Sequence, residues 1–142
     1  MLIPTQVQRQ FDLIVNEARR IYPAFVVPEL VIATAGQTAG WARWRRRNGT
    51  VSWHIDLNQI YLVSHAQDML EDTLPHEIAH VLAWQRYGTD TQPHGKEWIA
   101  MFGALTGRCP TRCHDYGDVR QAARTKDQLM TEAANRMLAQ LK

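Results

Sequence analysis

The sequence predicts an α+β fold: a short antiparallel sheet built on one β-hairpin, packed on helices, with an extra helix at the C-terminal end. Three observations predict it. Val7, Phe11, Ile14, Ala18 and Ile21 recur at helical spacing early in the chain. Asn48-Gly49, the preferred pair for a two-residue turn between strands, separates two runs that alternate in character. Apolar residues at helical spacing then return around Pro75, again from Trp98 to Leu105, and again beyond Asp118.

The first helix is expected from Thr5 to Tyr22, opened by a capping box of Thr5 with Gln8 and stopped by Pro23. Glu29 to Ala33 reads as a strand and Thr34 to Gly40 as a loop. Centring the hairpin on Asn48-Gly49 sets Arg47 opposite Thr50, Trp44 opposite Trp53 and Trp41 opposite Asp56. One face then gathers Ala42, Trp44, Val51, Trp53 and Ile55, a core-facing set of cross-strand pairs. The next helix is expected to start at Ser64, with Gln67 completing its cap, and to be kinked or divided by Pro75. A further helix runs from His94 to Thr106, burying Trp98, Phe102 and Leu105 and ending at Gly107. Trp98 reads as a packing residue.

The chemistry concentrates in Pro75-His76-Glu77-Ile78-Ala79-His80. On a helix, His76 and His80 lie one turn apart on the same face, so both imidazoles can reach one metal ion. A catalytic zinc keeps three protein ligands and one water, and Glu77 adjoins the first ligand as a base for that water. A third ligand six residues after His80 is excluded, because Arg86 stands there and Ala83 replaces the glycine that spacing requires. His94 is the candidate instead. Gly88 can end the helix in a left-handed cap, the turn through Pro93 brings the chain back, and Gly95 leaves room for backbone beside the metal. The apolar residues around the motif, Leu70, Leu74, Val81, Leu82 and Trp84, place these polar groups in a buried setting where they need partners.

These residues carry a resemblance. The run from Pro75 to Gln85, followed by Pro93-His94-Gly95-Lys96-Glu97-Trp98, resembles the SprT family, bacterial relatives of the Spartan metalloproteases. The likeness extends through Thr38-Ala39-Gly40-Trp41-Ala42, Ile55-Asp56-Leu57-Asn58 and Arg112-Cys113-His114-Asp115-Tyr116. It implies a small zincin-like metalloprotease core over residues 1–117, with Zn2+ as cofactor, His76, His80 and His94 as ligands and Glu77 as general base. The cysteine-rich zinc ribbon of many bacterial members has no counterpart in residues 118–142. There Val119, Ala122, Ala123, Leu129, Met130, Ala133, Met137, Leu138 and Leu141 outline an amphipathic helix, to dock on the domain or meet a partner or second copy.

Other features leave alternatives open. Arg43, Arg45 and Arg47 form a stripe on the outer hairpin face, with Trp41 at its end. Alternate arginines stand ~7 Å apart, close to the phosphate spacing of a nucleic acid strand, and Trp41 can stack on an unpaired base. A solvated outer face needs no more than charge. Resemblance to a protease acting on DNA-bound proteins adds single-stranded or damaged DNA as a candidate partner beside the protein or peptide substrate. The strand from Trp53 to Asn58 is the candidate edge for pairing with that substrate. His114 and Tyr116 are candidates for a second electrophile. Cys109 and Cys113 fit reduced thiols, half of a metal site with His114 adjoining and His54 or His65 as the fourth ligand, or a local disulfide.

A chain of 142 residues with 45% hydrophobic content is of single-domain size, and a net charge of +2 argues for neither nucleic acid nor membrane. No apolar run has the length of a membrane span and the first residues lack a signal-peptide pattern, so a cytoplasmic protein is expected. Two other classes compete with a peptidase. One is a catalytically weak or inactive zinc-containing module that binds DNA or protein, which has no use for Glu77. The other is a metal-dependent hydrolase of a small amide.

Overall fold

In a computed structural model, which describes residues 3–34, 36 and 38–110, helix α1 (Thr5–Ile21) lays Val7, Phe11, Ile14, Val15 and Ala18 into the core. This is the stripe its spacing predicts. The capping box does not form: Pro4 is the N-cap and offers no side-chain acceptor, and Thr5 is already helical. Gln8 binds Asp12 one turn along at 2.9 Å instead.

Strands β1 (Glu29–Ala33), β2 (Gly40–Arg47) and β3 (Thr50–Asn58) form one sheet in the order β1-β3-β2. The hairpin has the predicted register, from Arg47 opposite Thr50 to Trp41 opposite Asp56. Asn48 and Gly49 both take positive φ, as the tight turn requires. The sheet is mixed rather than wholly antiparallel, because β1 runs parallel to β3, Glu29 opposite His54 and Ala33 opposite Asn58. The loop after β1 carries the chain past one strand position, and the hairpin's return strand fills the gap. This corrects the expectation that Trp53 to Asn58 forms an edge: both sides of β3 are occupied by ladders. Among the described residues the rims of the sheet are β1 and β2. The predicted core face is buried only at its inner half. Ala42 and Ile55 are buried, whereas Trp44 is 39% exposed, since the hairpin tip projects past the helices.

Asn58, itself buried, ends β3 and organises the segments on both sides of it. Its Oδ1 accepts from the Ile60 N–H at 2.9 Å and so caps α2 (Gln59–Ser64). Its Nδ2 donates to the carbonyls of Gly36 and Thr38, fixing the loop that delivers Gly40. Ser64 is therefore not a cap: it closes α2, its Oγ donating back to the Ile60 carbonyl at 2.8 Å. The chain then makes one turn, α3 (Ala66–Asp68), a π-helical turn Met69–Thr73, and α4 (Leu74–Tyr87). The break expected from Pro75 takes this form. Proline has no N–H to donate to the carbonyl four residues back. That carbonyl, of Glu71, accepts from Arg108 Nη2, while Arg108 Nη1 pairs with Asp72 at 2.7 Å.

Every residue of α4 from Leu74 to Ala83 is buried, so this helix is the centre of the core, apolar on nearly all sides. Helix α5 (Lys96–Thr106) packs against it through Trp98, Met101 and Phe102 and ends in a left-handed cap at Gly107. Among the described residues no helix is long and apolar enough to cross a membrane. The C-terminal segment 118–142 expected to be helical, and Cys113, His114 and Tyr116 with it, lie outside the described residues. Cys109 is exposed, and His54 is engaged at Ser52 Oγ (2.9 Å) and Glu29 (3.6 Å).

Candidate metal centre

Helix α4 presents His76 and His80 one turn apart, 7% and 5% exposed, with Glu77 between them at 0%. His94 arrives from the turn between α4 and α5. Gly88 ends α4 with φ 112 and ψ 155, a conformation open to glycine though not the left-handed cap expected. The turn closes where the Gly95 N–H donates to the Gln92 carbonyl at 2.9 Å. A Cβ on Gly95 would sit 2.9 Å from that same carbonyl, so tightness of the turn, rather than clearance for a metal, requires glycine there. His94 takes φ 60, the left-handed region, which costs a non-glycine residue about 1–2 kcal/mol. Such strain is tolerated where the surrounding structure over-determines a side chain's position.

The three imidazoles converge. His94 Nε2 lies 3.0 Å from His76 Nε2 and 3.1 Å from His80 Nε2. All three ligand atoms fall within 4.8 Å of one another, and among the described residues this is the cluster that can hold a metal ion. Tetrahedral coordination at metal–nitrogen distances near 2.0–2.1 Å sets the nitrogens about 3.3 Å apart, close to the spacing observed. The donor set fits one ion.

Trp98 does more than fill the core. Its ring lies against all three histidines, at centroid distances of 4.7, 5.5 and 4.9 Å for His76, His80 and His94. Its Nε1–H donates to the His76 carbonyl at 3.1 Å, tying α5 to the first ligand's backbone. Trp84 also stacks on His80, with ring centroids 5.6 Å apart. Sequence reading assigned Trp98 to packing alone.

The site also takes in Gly40, read from the sequence as loop. It begins β2 and lies against Thr73 and Glu77. From Trp41 on, the outer face of this edge strand carries the predicted stripe. Trp41 is 56% exposed, Arg45 and Arg47 are exposed, and Arg43 is half-buried and paired with Asp56 at 3.2 Å. The arginines of the stripe follow Gly40 along β2 toward the hairpin turn, and none of them belongs to the histidine cluster.

A buried helix carrying two histidines, met by a third from the following turn, is compatible with a metallopeptidase-like module. The SprT-like family model matches residues 7–114, and the chain belongs to the SprT-like family. Protein SprT of Klebsiella pneumoniae subsp. pneumoniae is 34% identical over 108 residues, 75% of this chain and 61% of the relative. Protein SprT of Erwinia tasmaniensis is 35% identical over 106 residues, 75% of this chain and 56% of the relative. Protein SprT of Glaesserella parasuis serovar 5 is 34% identical over 119 residues, 83% of this chain and 71% of the relative. The chain therefore spans about three-fifths of the length of the first two relatives. No solved structure matches it.

Proposed function

We propose that the chain is a zinc-dependent metallopeptidase that hydrolyses peptide bonds in protein substrates, with His76, His80 and His94 as ligands and Glu77 as general base. The observation that carries this reading is the meeting of three Nε2 atoms beside a fully buried glutamate. A purely structural zinc closes its fourth position with another protein ligand and needs no such carboxylate. Zinc held here supplies a Lewis acid and lowers the pKa of a water toward neutrality. Glu77 takes a proton from the attacking water and returns it to the leaving amine. Trp98 and the strained His94 turn hold the imidazoles so that the ligand geometry is set before substrate arrives. The rim of β2 that is unpaired among the described residues offers main-chain groups to an extended substrate, which gives affinity with little dependence on sequence. His114 and Tyr116 remain the proposed second electrophiles, residues 1–117 the proposed core, and residues 118–142 a proposed appended helix. The test is cleavage of unfolded casein. EDTA abolishes it, one equivalent of Zn2+ per chain restores it, and metal analysis of the purified protein returns one zinc. Cleavage that survives complete metal removal refutes the reading.

A second proposal concerns the stripe. Exposed Arg45, Arg47 and Trp41, with the half-buried Arg43, form an edge that starts one residue from Gly40, so DNA held there would present its bound protein to the centre. Replacing Arg43, Arg45 and Arg47 together by Gln is expected to weaken single-stranded DNA binding at least tenfold. The slope of log affinity against log salt should fall by about 2, because each phosphate left without its arginine keeps its counterion. Unchanged affinity and slope in a fluorescence anisotropy titration would leave the arginines as a solvated face.

A further inference from the structure

Gly40 occupies a position where the backbone makes no demand for glycine. It pairs with Leu57 in the antiparallel ladder, and glycine within a strand weakens the sheet unless something approaches closely. Something does. A Cβ on Gly40 would lie 2.6 Å from Thr73 Cγ2, 3.2 Å from Glu77 Cγ and 3.3 Å from Glu77 Oε2. Thr73 is buried, belongs to the π-helical turn and is β-branched, which leaves two χ1 rotamers open to it in a helix. The strand is held by the hairpin ladder and by Asn58, whose amide fixes the preceding loop. Glu77 has the longest and most adaptable side chain of the three parties.

We propose that Gly40 is a positioning residue for Glu77: the missing side chain is the space in which the glutamate's stem and carboxylate are held. The inference rests on reading Glu77 as the general base. It gives the π-helical turn a role as well, since that turn puts Thr73 against the strand and so closes the other side of the same space.

The test is Gly40→Ala, read by kinetics on unfolded casein and by a crystal structure of the metal-free protein. Displacement of a catalytic group by about 1 Å can cost roughly 100-fold. Gly40→Ala is expected to lower kcat 30- to 100-fold while KM stays within threefold and zinc content is unchanged. In the metal-free structure the Glu77 carboxylate should be displaced by about 1 Å or more. Gly40→Ala/Thr73→Ser removes the nearest obstructing methyl, so kcat should recover about tenfold while remaining below that of Thr73→Ser alone. A Gly40→Ala protein with wild-type kcat, an unmoved Glu77, or a loss confined to KM overturns the proposal. Should Gly40→Ala fail to fold, the comparison of the double variant with Thr73→Ser decides, and equal kcat overturns it. Glu77→Gln separates the two claims. If it cuts at the wild-type rate, the base assignment itself fails; if it is inactive while Gly40→Ala is fully active, only the role of Gly40 fails.

Discussion

Glu77→Gln is expected to lower kcat by about three orders of magnitude while leaving one zinc per chain, within the 100- to 10,000-fold range typical of a lost general base. The substitution is nearly isosteric, so it opens no cavity at a position that is fully buried. It removes the basic oxygen and nothing from the ligand set, because the convergent atoms belong to His76, His80 and His94. Loss of cleavage with retained zinc therefore isolates proton transfer, provided thermal melts of the two loaded proteins agree within a few degrees. A Glu77→Gln protein that cuts at full rate excludes Glu77 as the base. If neither protein cuts any substrate offered, the zinc-containing binding module becomes the better account.

Much of this architecture was legible in the sequence because single local rules determined it. The Asn48-Gly49 turn sets the hairpin register, and the register in the structure is the one it predicts. The helical stripe of α1 follows from apolar spacing in the same way, and the apolar residues flanking His76 and His80 pointed to the buried setting of α4. The histidine cluster was legible because a helix fixes the separation of His76 and His80, leaving only the third partner to be found.

What was not legible depends on how distant segments meet. Nothing local tells that β3 inserts between β1 and β2, so the choice of edge strand failed, and with it the assignment of Trp53 to Asn58 as substrate rim. The helical run that carries the histidines starts at Ala66, close to the expected Ser64, but Ser64 does not cap it and instead closes a short preceding helix that Asn58, an asparagine at the end of a strand, caps. Gly40 looked like loop punctuation; its need for space is visible only once Thr73 and Glu77 are opposite it. Likewise Gly95 is required by the Gln92 carbonyl of its own turn, while the unusual backbone belongs to its neighbour His94.

That neighbour yields the second large effect. His94→Ala is expected to reduce zinc affinity at least 100-fold, since perturbing a ligand's supporting hydrogen bonds alone commonly costs 10- to 100-fold. Zinc present at a thousand times the wild-type dissociation constant stabilises the native protein by about 4 kcal/mol, and the variant should lose most of that increment. A second comparison separates metal binding from backbone strain. At φ 60 glycine carries no steric penalty, whereas alanine keeps one of about 1–2 kcal/mol. Against this, glycine loses about 0.4–1 kcal/mol through the added freedom of the unfolded chain. Metal-free His94→Gly should therefore be more stable than metal-free His94→Ala, by about 0.8 kcal/mol and at most about 1.6 kcal/mol in urea denaturation, although neither binds zinc well. Retention of tight zinc binding by both variants would remove His94 from the ligand set. Equal stability of the two, or greater stability of the alanine variant, would show that the turn relaxes out of the left-handed region when the imidazole is gone. The fold would then be holding the third ligand in place through the metal, instead of offering it one.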